Sequence, residues 1–205
     1  MTSDKHEPTK EEAARMRKPD YDIHPLFVQR WSPRAFAAAP VRDQDLFAVL
    51  EAARWAPSAA NEQPWRFIVA RSDEEKKRFR AFINEGNLRW CTAAPVLLLV
   101  LSDRTMQSGR DNRAHAFDAG AAWGYLALEA ANRGLITHPM GGFDREAARQ
   151  ALGVPDRYDL HAVVALGYRG DPAALPDDLK AREQPSQRRP ALESAFAGRF
   201  GVPLG

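Results

Sequence analysis

The chain has 205 residues, 44% of them hydrophobic, which is enough to bury the core of one domain. Its 29 basic and 27 acidic residues give a formal net charge of +2 and are interspersed, a pattern that argues against a nucleic-acid partner. The single cysteine, Cys91, excludes an intrachain disulfide, offers no metal-ligand spacing and predicts a cytoplasmic protein. The first eighteen residues lack the apolar core of a signal peptide, and the longest apolar run, 93–101, is too short to span a bilayer, so no membrane partner is expected.

The chain is predicted to consist of a charged arm, one domain and a tail. Residues 1–21 are rich in lysine and acidic residues, and we expect them to form a disordered or loosely docked arm. The domain spans 22–170, and the proline-containing tail, 171–205, is expected to be an extended arm that packs on the domain or on a partner subunit.

Within the domain, helices and strands are predicted to alternate. The first half is expected to hold a short helix at 23–30, a helix from Asp43 that ends before Pro57, a strand at 65–70, a helix through 83 that begins with the capping box of Ser72 and Glu75, and a doubly covered strand at 96–101. The second half is expected to hold a helix at 112–133, an extended piece at 135–137, a helix from Asp144 to Gly153 and a strand at 162–168. This order indicates an α+β or α/β chain with helices on both sides of a sheet.

The helix at 112–133 carries a face of small residues. Gly120 and Gly124 are four residues apart in an alanine-rich sequence, which suits close contact with another helix. The sequence leaves open whether that contact lies within one chain or across a dimer axis.

Three polar segments of the domain are candidate ligand contacts. In the first, Arg30, Ser32 and Arg34 alternate, so an extended backbone would direct three donors at one anionic ligand. The alternative for this segment is a solvated basic turn before a helix.

The second segment, 56–65, is a loop stiffened by Pro57 and Pro64. Asn61 and Gln63 carry amides that can both donate and accept, as the mixed edge of a heterocycle requires. The alternative is an ordinary connection between a helix and a strand.

The third segment, 137–143, contains the paired glycines Gly141 and Gly142. They would let backbone N–H groups approach a ring closely, whereas the alternative is a tight turn that needs positive φ. His138 lies beside Pro139 and is assigned a structural or exposed position and no catalytic role.

In order and in residue types these segments resemble the flavin-contacting segments of the nitroreductase family of flavin mononucleotide (FMN) enzymes, over about 30–168. The resemblance implies a three-layer α-β-α sandwich with a central, mainly antiparallel sheet. It also implies a homodimer that packs through long helices and binds two FMN molecules at its interface.

The resemblance also assigns roles to individual residues. Arg30 and Ser32 would hold the phosphate and ribityl chain, Arg34 would face the pyrimidine end of the ring, and Trp31 would contribute only its backbone. The resemblance places further flavin contacts at Pro57, Ser58, Asn61 and Gln63 for the partner's flavin, at Asn87 for the ring edge, at Pro139, Met140, Gly141 and Gly142 along the ring, and at Arg188 on the phosphate, with Arg189 an equal candidate.

By the same resemblance, NAD(P)H would reduce FMN, leave, and be replaced by an electron acceptor such as a nitroaromatic or a quinone, in a ping-pong cycle. Such a cycle needs no side-chain nucleophile, and the sequence shows no serine–histidine–acid signature, HExxH motif or dinucleotide fingerprint. Three alternatives stay open: a flavin sink or sensor without turnover; a relative with other FMN chemistry, such as a dehalogenase, a dehydrogenase of unsaturated bonds or a flavin-consuming enzyme; and an interaction module that binds no flavin.

Overall fold

The computed structural model describes residues 7–205, with side chains described from Lys10 onward. The elements of this part of the chain, in order, are α1 (Glu7–Met16), α2 (Pro25–Gln29), α3 (Asp43–Arg54), β1 (Trp65–Ala70), α4 (Asp73–Arg80), α5 (Glu85–Cys91), β2 (Val96–Asp103), α6 (His115–Asn132), β3 (Ile136–Met140), α7 (Arg145–Leu152), β4 (Tyr158–Gly167) and α8 (Asp177–Lys180).

The four strands form one antiparallel sheet in the order β1-β2-β4-β3. Every residue of β2 is buried because helices cover both faces of the sheet. On one face, Leu97 and Leu99 pack with residues of α4, α5 and α7, and on the other, Leu98 and Val100 pack with residues of α3 and α6. The α+β class and the three-layer sandwich are therefore confirmed.

Local signals in the sequence form as predicted at several helix ends. The Ser72 hydroxyl accepts a hydrogen bond from the Glu75 N–H while the Glu75 carboxylate accepts one from the Ser72 N–H, which completes the capping box. Asp144 caps α7, and Gly153 ends that helix in the left-handed conformation.

Other elements differ from the sequence-based expectation. The sequence did not predict α5, which has only seven residues and contains Gly86, so it shows no helical periodicity. Helix α6 begins at His115 and not at 112, because the Asn112 side chain accepts a hydrogen bond from Ala114 N–H and its own N–H bonds to Arg104 O. Strand β3 extends to Met140 because it pairs with β4 along its whole length.

The two terminal segments also carry structure. Residues Glu7–Met16, part of the segment expected to be disordered or loosely docked, form α1, in which Ala13 is completely buried. Residues 1–6 of that predicted arm lie outside the described residues, and the division into 1–21, 22–170 and 171–205 stays a prediction. The tail is largely irregular, with Leu175 and Leu179 in the core. Across 7–205, no helix combines the length and the apolar character needed to cross a membrane.

Candidate active site

The segment Arg30–Arg34 lies between α2 and a short backbone pairing with the chain after β4. Gly170 N–H donates to Ala35 O at 2.8 Å, and a Cβ on Gly170 would lie 2.5 Å from the Phe36 backbone, so only glycine allows this approach. The Glu183 carboxylate accepts hydrogen bonds from the N–H groups of Arg34 and Ala35. These contacts fix the backbone that presents the predicted phosphate ligands.

The guanidinium groups of Arg17, Arg30 and Arg188 form a cluster, which we call the arginine cluster. Arg30 Nη1 donates to Ser32 Oγ at 3.3 Å, so the first and second ligands of the motif lie together. Burial and the charge of Arg188 lower the pKa of Arg30. Burial, Arg188 and Arg30 likewise lower the pKa of Arg17 to about 10.

Among the side chains described from Lys10 to Gly205, no carboxylate pairs with any member of the arginine cluster. Like charges gathered without a counter-ion are stabilised by an anionic ligand, and guanidinium groups match the geometry of phosphate oxygens. The donor set therefore fits the phosphate of FMN. Arg188 belongs to this cluster, and Arg17, Arg188 and Arg189 all line one cavity of about 330 Å³.

Arg34 and His138 both lie beside the ring of Trp90. The Arg34 guanidinium lies 6.0 Å from the Trp90 ring centroid, and the His138 and Trp90 ring centroids are 4.5 Å apart. His138 Nδ1 donates to Pro33 O at 3.1 Å, because a carbonyl oxygen can only accept. Burial and then the charge of Arg34 lower the pKa of His138 to about 4, so the imidazole is neutral at pH 7.

The loop after β3 presents the paired glycines. Asn84 N–H and Asn87 Nδ2 both donate to Gly142 O, at 3.1 and 3.0 Å. Neither glycine has positive φ, which excludes the tight-turn alternative. A Cβ on Gly142 would lie 2.8 Å from Asn87 Nδ2, whereas a Cβ on Gly141 would meet nothing within 4 Å. Gly141 thus has no steric reason within the chain to be glycine, and open space beside its backbone fits a flat ring.

Some predicted ligands can offer only backbone atoms. The Met140 side chain is buried in the core, and Pro139 lies within the edge strand β3, where its missing N–H is tolerated. The Trp31 indole is buried beneath the Arg169 guanidinium, whose central carbon lies 4.7 Å from the ring centroid.

The loop after α3 is strained and holds its own shape. Ala60, Asn61 and Gln63 have φ of 50°, 57° and 47°, in the left-handed region that costs a non-glycine residue about 1–2 kcal/mol. Gln63 N–H donates to Ser58 Oγ at 3.0 Å, and Gln63 Nε2 donates to Asn61 O at 3.0 Å. Backbone strain of this kind concentrates at functional sites. Pro57 and Asn61 are exposed at the tip of the loop.

The predicted ligands fall into two sets. The members of each set lie near one another, but the two sets lie at separate places in the structure. One set contains the arginine segment and Arg188, which are joined through the bond of His138 to Pro33 to the glycine loop and to the Asn87 amide that holds it. The loop of Ser58 and Asn61 is fixed elsewhere: Ala59 N–H donates to the buried Asp118 carboxylate of α6 at 3.1 Å. Within 7–205, no hydrogen bond or ion pair joins the two sets.

Sequence reasoning missed the residues that hold the site in place. Arg17 and Glu183 act from the two terminal segments, more than a hundred residues apart, and Arg169 follows β4. No local motif marks any of the three. The sequence did place His138 next to the glycine loop, and its ring packing against Trp90 explains its structural role.

A serine–histidine–acid arrangement, which the sequence did not indicate, forms at the far end of β2. Ser102 Oγ lies 2.7 Å from His115 Nδ1 and 2.6 Å from His161 Nε2, and His115 Nε2 lies 3.7 Å from Asp159. A register shift between β2 and β4 brings His161 to this position. Ser102 has an exposed fraction of 0%, so its hydroxyl cannot reach a substrate carbonyl.

A family model described as "Nitroreductase family" matches this chain over residues 27–89 and 83–168. The chain belongs to the nitroreductase family. The matched span contains the arginine segment, the strained loop and the glycine loop, and it ends one residue after β4.

Similar proteins extend the nitroreductase match. A protein of Thermus thermophilus named NADH dehydrogenase is 33% identical over 73% of this chain and 88% of its own length. An uncharacterized 15.4 kDa protein of Mycolicibacterium smegmatis is 42% identical over 68% of this chain and 99% of its own length. A solved oxidoreductase described as containing FMN is 43% identical, with a TM-score of 0.87 over 91% of this chain and 96% of that one.

Proposed function

We propose that this nitroreductase-family protein is an FMN-dependent oxidoreductase that takes electrons from NAD(P)H and passes them to an acceptor such as a nitroaromatic or a quinone. The observation that carries the proposal is the arginine cluster without a carboxylate, built on Arg30 and Ser32 and joined to the glycine loop through His138. The FMN-containing relative at 43% identity and the NADH dehydrogenase of Thermus thermophilus support the cofactor and the donor.

Each part of the site would hold a different part of the cofactor. Arg30, Ser32 and Arg188 would bind the phosphate, and the backbone around Gly141, with the Asn87 amide, would bind the ring edge. Bound FMN would supply reversible two-electron chemistry, which no side chain of the protein provides. The positive charge of Arg34 would stabilise negative charge at the pyrimidine end of the ring.

We further propose that two chains complete each site. On α6, Phe117 is 84% exposed and precedes Gly120 and Gly124 on one helix face, and a Cβ on either glycine would meet nothing within 4 Å. Phe47 of α3 and Trp55, directly after that helix, add exposed aromatic surface. A second copy packed on this apolar face would bring the Asn61 loop of one chain to the arginine cluster of the other. This arrangement explains why the two sets of ligands lie apart in one chain.

Donor and acceptor would use the same open ring face in turn, so a nicotinamide needs no dinucleotide fold of its own. The free, buried Cys91 supports a cytoplasmic location as part of this proposal.

Anaerobic titration of the flavin-loaded protein with NADH and with NADPH tests the proposal. We expect the flavin absorption to bleach with at least one of the two donors and to return when a quinone or a nitroaromatic is added. A flavin that neither donor reduces would favour the sink or sensor alternative, and a flavin reduced by the donor but reoxidised by neither acceptor would favour a relative with other FMN chemistry. A colourless protein that does not take up added FMN would support a module without flavin.

A further inference from the structure

The N-terminal segment that precedes the family match ends in a guanidinium at the predicted phosphate site. Arg17 follows α1 directly, and its side chain reaches three backbone carbonyl groups in two distant parts of the chain. Arg17 Nη1 donates to Val28 O at 3.0 Å and to Arg30 O at 2.8 Å, and Nε donates to Ser186 O at 2.9 Å. One side chain therefore connects the N-terminal segment, the arginine segment and the tail that carries Arg188.

All of these partners of Arg17 are neutral carbonyl groups, so the contacts orient the guanidinium without neutralising its charge. Its Nη2 makes no hydrogen bond to any residue in the described part of the chain. Its neighbours Arg188 and Arg30 carry the same charge and, after burial, contribute to the lowered pKa of Arg17. Bringing the partly buried cations Arg17 and Arg30 together beside the exposed Arg188 without a counter-ion costs free energy unless a ligand supplies the negative charge.

We propose that Arg17 is a third guanidinium of the phosphate subsite and couples the order of α1 to the presence of the cofactor's phosphate. The inference rests on the proposed function, because it takes the arginine cluster to be the phosphate site of FMN. A phosphate bound by Arg30 and Arg188 would lie beside Arg17 and relieve the repulsion among the three cations. Hydrogen bonds between α1 and the tail, among them that of Gln187 Nε2 to Met16 O, would then be strengthened together with the site.

A merely structural role would predict a different result. If Arg17 only held three backbone carbonyl groups in place, its loss would loosen the backbone. The affinity for FMN and the affinity for riboflavin, which lacks the phosphate, would then fall by the same factor. If Arg17 binds the phosphate, its loss lowers the affinity for FMN and leaves the affinity for riboflavin unchanged.

The first test measures the affinity of the full chain, stripped of flavin, for FMN and for riboflavin by the quenching of flavin fluorescence. Arg17→Gln removes the charge, and we expect it to lower the affinity for FMN roughly ten- to hundredfold, the range for a hydrogen bond to a charged group. The affinity for riboflavin should not change. Arg15→Gln is the matched control, because Arg15 lies on α1 two residues before Arg17 and, among the described side chains, pairs only with the exposed Glu11. It should change neither affinity.

Equal weakening of both flavins by Arg17→Gln, or unchanged FMN binding, would overturn the inference and leave the proposed function standing. If the unmodified chain bound neither flavin, the proposed function itself would fail. If Arg17→Gln does not fold, Arg17→Lys is tested in its place, since it keeps the positive charge and loses the paired N–H donors of the guanidinium. It should bind FMN more tightly than riboflavin by a smaller factor than the unmodified protein does.

The second test reads the coupling without any affinity measurement. Amide hydrogen exchange over 10–17 should slow when FMN binds and stay unchanged when riboflavin binds. In Arg17→Gln the effect of FMN on these amides should vanish. Equal protection by the two flavins, or protection that survives in Arg17→Gln, would contradict the coupling.

Discussion

Both carboxylate oxygens of Glu183 lie 2.9 Å from the backbone nitrogen of Arg34. One of them also accepts from Ala35 N–H at 3.0 Å and from Arg169 Nη1 at 2.7 Å. A buried residue of the tail therefore fixes the backbone of the arginine segment, and its own charge is balanced by Arg169. This carboxylate holds the backbone at Arg34 and Ala35, whereas Arg17 and His138 hold the carbonyl groups of Arg30 and Pro33.

Replacing Glu183 should harm both stability and cofactor binding. Glu183→Ala leaves two backbone N–H groups without their partner and removes the closer carboxylate of the buried Arg169, which keeps only the longer contact with Glu12 at 3.5 Å. We therefore expect the free energy of unfolding to fall by about 3 kcal/mol. FMN affinity should fall as well. Glu193→Ala, an exposed position of the same tail, is the control for denaturant unfolding and should have no effect. A stable Glu183→Ala variant with normal FMN affinity would rule out this positioning role.

Two glycine substitutions separate the strain of the loop after α3 from its chemistry. Ala60→Gly and Asn61→Gly each remove the backbone strain of a non-glycine residue with positive φ. Each should therefore raise the free energy of unfolding by roughly 1 kcal/mol or less. Only Asn61→Gly removes an amide, and it should weaken FMN by roughly fivefold to tenfold, as the loss of one hydrogen bond does. Equal FMN affinity in the two variants would show that the Asn61 amide does not bind the cofactor.

The burial of His138 should make stability depend on pH. The imidazole has a pKa near 6.5 when unfolded and about 4 in the folded protein. Between these values the unfolded chain binds more protons, so the contribution of His138 is complete above pH 6.5 and is lost as pH falls towards 4. Its total is about 3 kcal/mol. Denaturant unfolding at pH 7 and pH 4.5 should therefore show a smaller loss for His138→Asn than for the unmodified protein. An identical loss in both proteins would contradict the assignment.

The two glycines of the loop after β3 should respond differently to an added methyl group. Gly141→Ala meets no atom of the chain, so stability should hold while FMN affinity falls, because the Cβ would occupy space beside the ring. Gly142→Ala would press on the Asn87 amide and should lower both. Equilibrium unfolding and FMN titration measure the two effects. Unchanged FMN binding in Gly141→Ala would show that the ring does not lie there.

Much of the fold could be predicted from the sequence because its signals are local. The capping box at Ser72, the cap at Asp144 and the apolar run that forms β2 each depend on neighbouring residues. The short α5 could not be predicted, since seven residues with an internal glycine carry no periodic pattern.

The candidate site was predictable only in part, for the same physical reason. Arg30 and Ser32 lie together as the alternating pattern predicts. The partners that hold them, Glu183 and Arg17, come from distant segments, and only the folded chain shows that a carboxylate or a guanidinium reaches them. The cluster around Ser102 was missed because a register shift between strands, which no motif encodes, completes it.

A subunit-mixing experiment tests most directly the central claim that two chains build each flavin site. Arg30→Gln removes a ligand from the arginine cluster, and Asn61→Gly removes one from the loop after α3. When the two variants are unfolded and refolded together, each mixed dimer should contain one intact site and one site with both defects. Equal mixing should then restore about a quarter of the wild-type sites, as a symmetric dimer requires, measured as FMN bound with wild-type affinity. Recovery of no wild-type sites, although mixed dimers have formed, would contradict the shared site.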